Sequence, residues 1–333
     1  MDINTDNQNK RHCAFCLKEI QGNEIKRCGK CQARAYCSRE CQVDDWSGKG
    51  QNHKLWCDER VCEEDIDWDI RIAEGKGLGL FAKRDIPRYT KILVDKGYHS
   101  RKEVPQPLLE SLMPHSGSLA AKWDFNNMYS SEGGENLGVR VSRLNHDCNN
   151  NATFKYIPDL KVFIIVSIVD IAKDQEITIQ YQSFNDVSKD AKYRNVRLMI
   201  LNEKWGIKCQ ADCVCRDKAV RLRIEKAHQV DKVIPSLLKF AENDIKAKLK
   251  VIDDNIEVIQ ELGGCPISLI RPYYDGFQIA ILNQKTVPLS TKYIDKLIEY
   301  SEIINSKHSE EHKTFLKYKE NPRNHRNYCL KNI

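Results

Sequence analysis

Four pairs of metal-ligand residues stand near the start of the chain: Cys13-x2-Cys16, Cys28-x2-Cys31, Cys37-x3-Cys41 and His53-x3-Cys57. A two-residue gap lets both thiolates of a tight knuckle face one ion, and the x3 pairs suit one face of a short helix, where residues four apart are neighbours. Together they supply eight soft ligands, enough for two tetrahedral zinc sites. Unrelated buried cysteines would rarely fall at such spacing. So small a segment buries little apolar surface, and metal is its expected main source of stability. The N-terminal "MDINTDNQNKRH" has no apolar core, and no run of about 18 apolar residues occurs, so the chain reads as soluble and not secreted. That compartment favours metal over disulfides as the use of its fourteen cysteines. Cys62, Cys265 and Cys329 fall outside these patterns and read as ordinary thiols.

A second group of candidates lies in "SRLNHDCNNNATF", where Asn145, His146, Asp147 and Cys148 interrupt two apolar stretches. Such a cluster is either a polar turn or part of a site. Three more cysteines come later in "EKWGIKCQADCVC", at Cys209, Cys213 and Cys215. Upstream, "IRIAEGKGLGLFAKRDI" reads as a strand, a glycine-rich turn and a second strand, with Gly75, Gly77 and Gly79 permitting positive φ and close backbone approach. It lacks the spacing of a phosphate loop, and alone it would usually be only a turn.

The elements that must position these residues are read from apolar periodicity. "ATFKYIPDLKVFIIVSIVDI" predicts two strands around a Pro158-Asp159 turn, with Ala152, Phe154 and Tyr156 at alternate positions. "DQEITIQY" predicts a third strand ending at Tyr181, and Val187, Ala191, Leu198 and Leu201 predict a helix after Asp186. The acidic run "CEEDIDWD" reads as a linker. Beyond Lys218 the pattern is helical: Ile245, Leu249, Ile252, Ile256 and Ile259 form one stripe, stopped by Gly263-Gly264. A second stripe runs through Ile294, Leu297, Ile298 and Ile304 after Ser290. This β-rich middle fits neither a Rossmann nor a TIM pattern.

With Tyr36 before Cys37 and Trp56 before Cys57, the first segment resembles a MYND zinc finger. The resemblance implies interleaved sites: Cys13, Cys16, Cys37 and Cys41 on one zinc, and Cys28, Cys31, His53 and Cys57 on the other. It also implies a dock for proline-rich partner peptides. "GKGLGLFA", "SRLNHDCNNNA" and "DQEITIQY" with its trailing cysteines resemble, in that order, a SET domain over about residues 70–216. That is the catalytic fold of many protein lysine methyltransferases. The whole is similar to the SET and MYND domain-containing lysine methyltransferases, of a fungal or protist-like kind. There the finger usually interrupts the SET domain; here it precedes it.

The roles implied by the resemblance are specific. Asn145 and His146 would sit where the chain threads a pseudoknot and bind S-adenosylmethionine. The backbone of Lys76, Gly77, Leu78 and Gly79 would line its other side, and Asn127 in "FNNMY" would bind its amino-acid end. Trp205 and Ile207 fall where relatives place a tyrosine and an adenine-stacking aromatic. Tyr181 matches the catalytic tyrosine. Cys148, Cys209, Cys213 and Cys215 would hold a third, post-SET zinc. Asp147 and Asn150 depart from the usual serine and proline, and neither removes an atom the reaction requires.

The expected fold class is therefore α+β and multidomain. A MYND finger spans 10–60 and a SET domain 68–185 with a short insert at 98–140. A post-SET helix and cysteine cluster cover 186–218, and a TPR-like helical domain 219–333. The expected activity is transfer of a methyl group to protein lysine, on histone or other substrates, with S-adenosylmethionine and three zinc ions; the alternative is a catalytically inactive adaptor. The 333 residues carry a net charge of only +6 and show no Lys/Arg stripe, so nucleic acid is not an expected partner. A membrane is not expected either. A monomer working in nucleus or cytoplasm is the expectation.

Overall fold

The computed structural model describes residues 10–21, 24–50, 52–57, 59, 61–114, 116–130, 134–184, 186, 189–239 and 244–329; Val187, expected in a helix, lies outside them. The chain divides into two compact units, Met1–Asn145 with Phe154–Ile179, and His146–Thr153 with Gln180–Ile333. Among the described residues no helix is long and apolar enough to cross a membrane.

The first unit begins with two short hairpins, β1 (Lys10–His12) with β2 (Glu19–Gln21) and β3 (Lys26–Arg27) with β4 (Ala35–Tyr36). Helix α1 (Arg39–Trp46) comes next, its Ser38 hydroxyl accepting from Cys41 N–H as an N-cap should. The core here is Cys13, Cys28, Cys57, Tyr36, Ile20 and Ala14, too little apolar surface to fold unaided. Cys37 stands before the cap, and His53 opens a 3-10 turn that ends at Leu55, short of Cys57. Neither x3 pair therefore lies on one helix face as expected, because Ser38 caps the first helix and the second is a single turn.

The acidic run is not a linker. Glu64 receives a 2.8 Å contact from His12 Nδ1 and lies 3.4 Å from Arg140 Nε. Asp67 pairs with Arg84 and accepts from Glu63 N–H. The Arg140 guanidinium continues to the carbonyls of Cys13 and Ala14. Buried charges of this kind are tolerated only when paired, and here they weld the metal-ligand segment to the rest of the first unit.

Strands β5 (Trp68–Ala73) and β6 (Gly77–Ala82) pair antiparallel, with Arg71 opposite Gly79. Then come β7 (Lys91–Lys96) and an insert with α2 (Gln106–Glu110), α3 (Leu119–Asn126) and the β8–β9 hairpin (Met128–Ser130, Gly134–Asn136). The insert has its own core of Tyr98, Val104, Leu109, Leu112, Trp123, Leu137 and Val139. Next are β10 (Asn145–His146), β11 (Ala152–Ile157), β12 (Val162–Ser167) and β13 (Glu176–Ile179). The sheets run β10-β13-β6-β5 and β11-β12-β7. Every residue of β12 is buried, the signature of a strand covered on both faces. β13 ends at Ile179, so Tyr181 lies beyond the strand rather than closing it.

The second unit contains α4 (Ala191–Trp205), α5 (Lys218–Lys239), α6 (Ile245–Glu261), α7 (Pro266–Ala280), α8 (Ser290–Ile304) and α9 (Glu310–Glu320). From α5 onward each helix packs on its successor. The predicted stripe of α6 is buried throughout, and Gly263 and Gly264 come after it with positive φ, stopping the helix. On α8, Ile294, Leu297 and Ile304 are buried while Ile298 is half-buried.

Candidate active site and metal centres

The metal donors assemble as three quartets. Cys13, Cys16, Cys37 and Cys41 form one, Cys28, Cys31, His53 and Cys57 the second, and Cys148, Cys209, Cys213 and Cys215 the third, each with its donor atoms within 4.8 Å of one another. Four sulfurs held about 2.3 Å from one ion stand about 3.8 Å apart, whereas a disulfide is about 2.05 Å. Observed separations are 3.5 Å for Cys16–Cys37 and Cys37–Cys41, 3.8 Å for Cys28–Cys57 and 3.5 Å for Cys148–Cys209. His53 Nε2 is 3.4 Å from Cys31 Sγ. Burial, helped by the Arg34 and Lys30 charges, pushes His53 down to about 3, which keeps the imidazole neutral as a ligand must be. All fourteen cysteines are free thiols. The donor sets fit zinc.

In the first unit the glycine-rich turn and Asn145 form one cluster. Gly75 and Gly77 have φ of 71° and 85°, and nothing lies within 4 Å of where a side chain would sit, so the backbone is open to a ligand. Gly79 is the opposite case: a Cβ there would stand 2.7 Å from Glu176 Oε1 and 2.9 Å from Asn145 Nδ2. The Asn145 amide donates to Leu78 O at 3.1 Å and to Glu176 Oε1 at 2.7 Å, and Glu176 Oε2 pairs with Lys76 at 2.8 Å. Glu176 thus bridges two predicted site residues. In "DQEITIQY" it is an acidic residue at the start of a strand, and no spacing there marks it as functional. Asp95, also missed, is buried and accepts from the N–H groups of Arg140 and Val141. Its carboxylate caps the 3-10 turn Val141–Arg143 that delivers the chain to Asn145. Asn127 stands at the C-cap of α3, where its N–H bonds Trp123 O.

In the second unit His146 and Tyr181 form the other cluster. His146 Nδ1 accepts from Tyr181 N–H at 3.1 Å, and its Nε2 lies 3.4 Å from Cys148 Sγ. The His146 and Tyr181 rings are 5.5 Å apart, and Tyr181 and Trp205 are 5.0 Å apart. Trp205 is the last residue of α4 because Gly206 takes a left-handed φ of 70° there. Ile207 then bonds back to Leu201 O, closing the turn. Gln180 Nε2 donates to Cys148 O, and Tyr193 OH donates to the Gln182 side chain. Tyr181 is therefore held by its own backbone and by both neighbours.

The SET domain pattern matches residues 77–182 and the MYND finger pattern residues 13–57. The N-lysine methyltransferase SMYD2 of Sus scrofa is 24% identical over 275 residues, covering 73% of this chain and 60% of its own. SMYD2-B of Xenopus laevis is 38% identical over 64 residues, 19% of this chain and 13% of its own. The histone-lysine N-methyltransferase set5 of Schizosaccharomyces pombe is 22% identical over 276 residues, 75% of this chain and 82% of its own. The chain thus spans about 60% of the length of the SMYD2 relative. The chain thus carries a MYND finger followed by a SET domain and is similar to the SMYD2 lysine methyltransferases.

Proposed function

We propose that the chain is an S-adenosylmethionine-dependent protein lysine N-methyltransferase. The observation that carries this reading is the fixing of Tyr181: its N–H is bound by His146 and its ring lies against Trp205, inside a SET domain match. When bound, S-adenosylmethionine supplies a methyl group activated by an adjacent sulfonium. Lys76, Gly77, Leu78, Gly79, Asn127, Asn145, His146, Trp205 and Ile207 are the residues assigned to hold it.

The chain's own part would be to hold the substrate lysine as its neutral amine beside Tyr181. Free lysine has a pKa of about 10.4, and desolvation on binding would lower it. The Tyr181 hydroxyl orients the amine by accepting its N–H, and this positioning supplies much of the rate. The substrate is a lysine-containing protein segment, a histone tail among the candidates. The MYND finger recruits the partner as a dock for proline-rich peptides; Val43 and Trp46, exposed on α1, support that role. Three zinc ions, a monomeric state and a nuclear or cytoplasmic setting complete the proposal.

The test is Tyr181→Phe, assayed by mass spectrometry of methylated lysine in a histone and lysate mixture. Loss of one oriented polar group at the reacting centre is expected to lower turnover by about 10²–10³-fold while the melting temperature stays. Unchanged turnover would remove Tyr181 from its role. A wild-type protein with its metal in place that binds no S-adenosylmethionine would instead mark an adaptor.

A further inference from the structure

Arg197, in the middle of α4, is one of the largest fully buried side chains among the described residues. A guanidinium cannot shed its proton, so burying it demands a counter-charge and hydrogen-bond acceptors. Arg197 Nη2 donates to Cys148 Sγ at 3.0 Å, its Nε donates to Gln182 O at 3.2 Å, and the guanidinium lies 5.3 Å over the Phe184 ring. Its counter-charge is thus the sulfur of a metal-ligand quartet. Four thiolates around a dication leave an excess of two negative charges, which a buried cation in contact with one sulfur partly offsets.

The same residue reaches the segment that carries Tyr181. Gln182 O is held by Arg197, Gln180 Nε2 by Cys148 O, and Tyr181 N–H by His146, whose other ring nitrogen faces Cys148 Sγ. Three consecutive residues are therefore tied to Cys148 directly or through one side chain. We propose that Arg197 is a positioning residue: it is the buried counter-charge of the Cys148, Cys209, Cys213 and Cys215 quartet and couples metal occupancy there to the placement of Tyr181. The metal half of this stands on the quartet alone; the catalytic half rests on the methyltransferase reading.

The experiment uses the full chain loaded with zinc, as Arg197→Met, Arg197→Gln and Arg197→Lys. Zinc release under excess chelator is monitored with a metallochromic indicator, and the eight ligands of residues 13–57 serve as the internal reference phase. Both uncharged variants are expected to release the post-SET metal about 10–100-fold faster, the usual effect of removing an outer-shell partner. Arg197→Lys is expected to restore slow release, since it returns the charge. Lacking the fork that also bonds Gln182 O, it is expected to keep a lowered kcat with the KM for protein substrate unchanged. Wild-type release rates in both Arg197→Met and Arg197→Gln would overturn the counter-charge; should the Met variant not fold, the Gln variant alone decides. Fast release with wild-type kcat would overturn the coupling to Tyr181. Absence of methyl transfer in the wild type would strike the proposed function and leave the zinc result standing.

Discussion

Gly79→Ala probes the first-unit cluster most sharply. The backbone there does not use the left-handed region, so alanine fits the strand, and reduced freedom of the unfolded chain contributes about 0.4–1 kcal/mol of stability. Against this, the new Cβ would stand 2.7 Å from Glu176 Oε1, 2.9 Å from Asn145 Nδ2 and 3.3 Å from the Ala73 side chain. β6 is held between β5 and β13, so the backbone has little room to retreat and the two side chains must move. Their 2.7 Å mutual hydrogen bond and the 3.1 Å bond from Asn145 to Leu78 O are then lost or stretched. A hydrogen bond to a charged acceptor contributes about 1.5–3 kcal/mol and a neutral one about 1 kcal/mol. The net expectation is a loss of about 1–3 kcal/mol, a fall in melting temperature of several degrees. Because the Asn145 amide is displaced, S-adenosylmethionine affinity is expected to fall at least about tenfold, the equivalent of one good hydrogen bond. Thermal unfolding by circular dichroism and calorimetric titration read the two effects. A Gly79→Ala protein that melts with the wild type and binds the cofactor equally well would refute the packing argument.

Two other perturbations act on the metal and on a buried acid. Treatment with a strong zinc chelator is expected to unfold residues 13–57 first, because their core is largely metal-ligand sulfur; limited proteolysis should then cut there before the C-terminal helices. Burial raises Asp275 from 3.8 to about 6 despite nearby Arg271. The neutral acid is the form the fold prefers, so its contribution is full below about pH 4 and is lost as pH rises through about 6. Asp275→Asn is accordingly expected to raise stability at pH 8, by at most about 3 kcal/mol, and to have little effect at pH 4; an equal shift at both pH values would exclude ionisation as the cause.

Features encoded by spacing could be read from the sequence. The three ligand quartets are legible because a knuckle or a cysteine cluster leaves a short, regular trace, and the resemblance supplied the pairing of the distant members. Helices α6 and α8 are legible because their largely buried stripes recur at the helical period. Partnerships between distant residues were not. Arg197 and Cys148 are 49 residues apart, and Glu176 and Asn145 are 31 apart; no local pattern marks a buried guanidinium that serves a thiolate. The acidic run failed as a linker for the same reason, since its partners, His12 and Arg140, lie far along the chain. The sequence pattern puts Tyr181 at a strand end, whereas the strand stops at Ile179 and Gln180 turns its side chain to Cys148 O.

Every role proposed for Asn145, His146 and Tyr181 requires that the chain bind S-adenosylmethionine through its SET domain. Calorimetric titration of the metal-loaded protein with the cofactor tests it most directly. One saturable site is expected, weakened by Asn145→Ala and unaffected by Asp275→Asn. Metal-loaded, folded protein that gives no heat of binding across millimolar cofactor would contradict it.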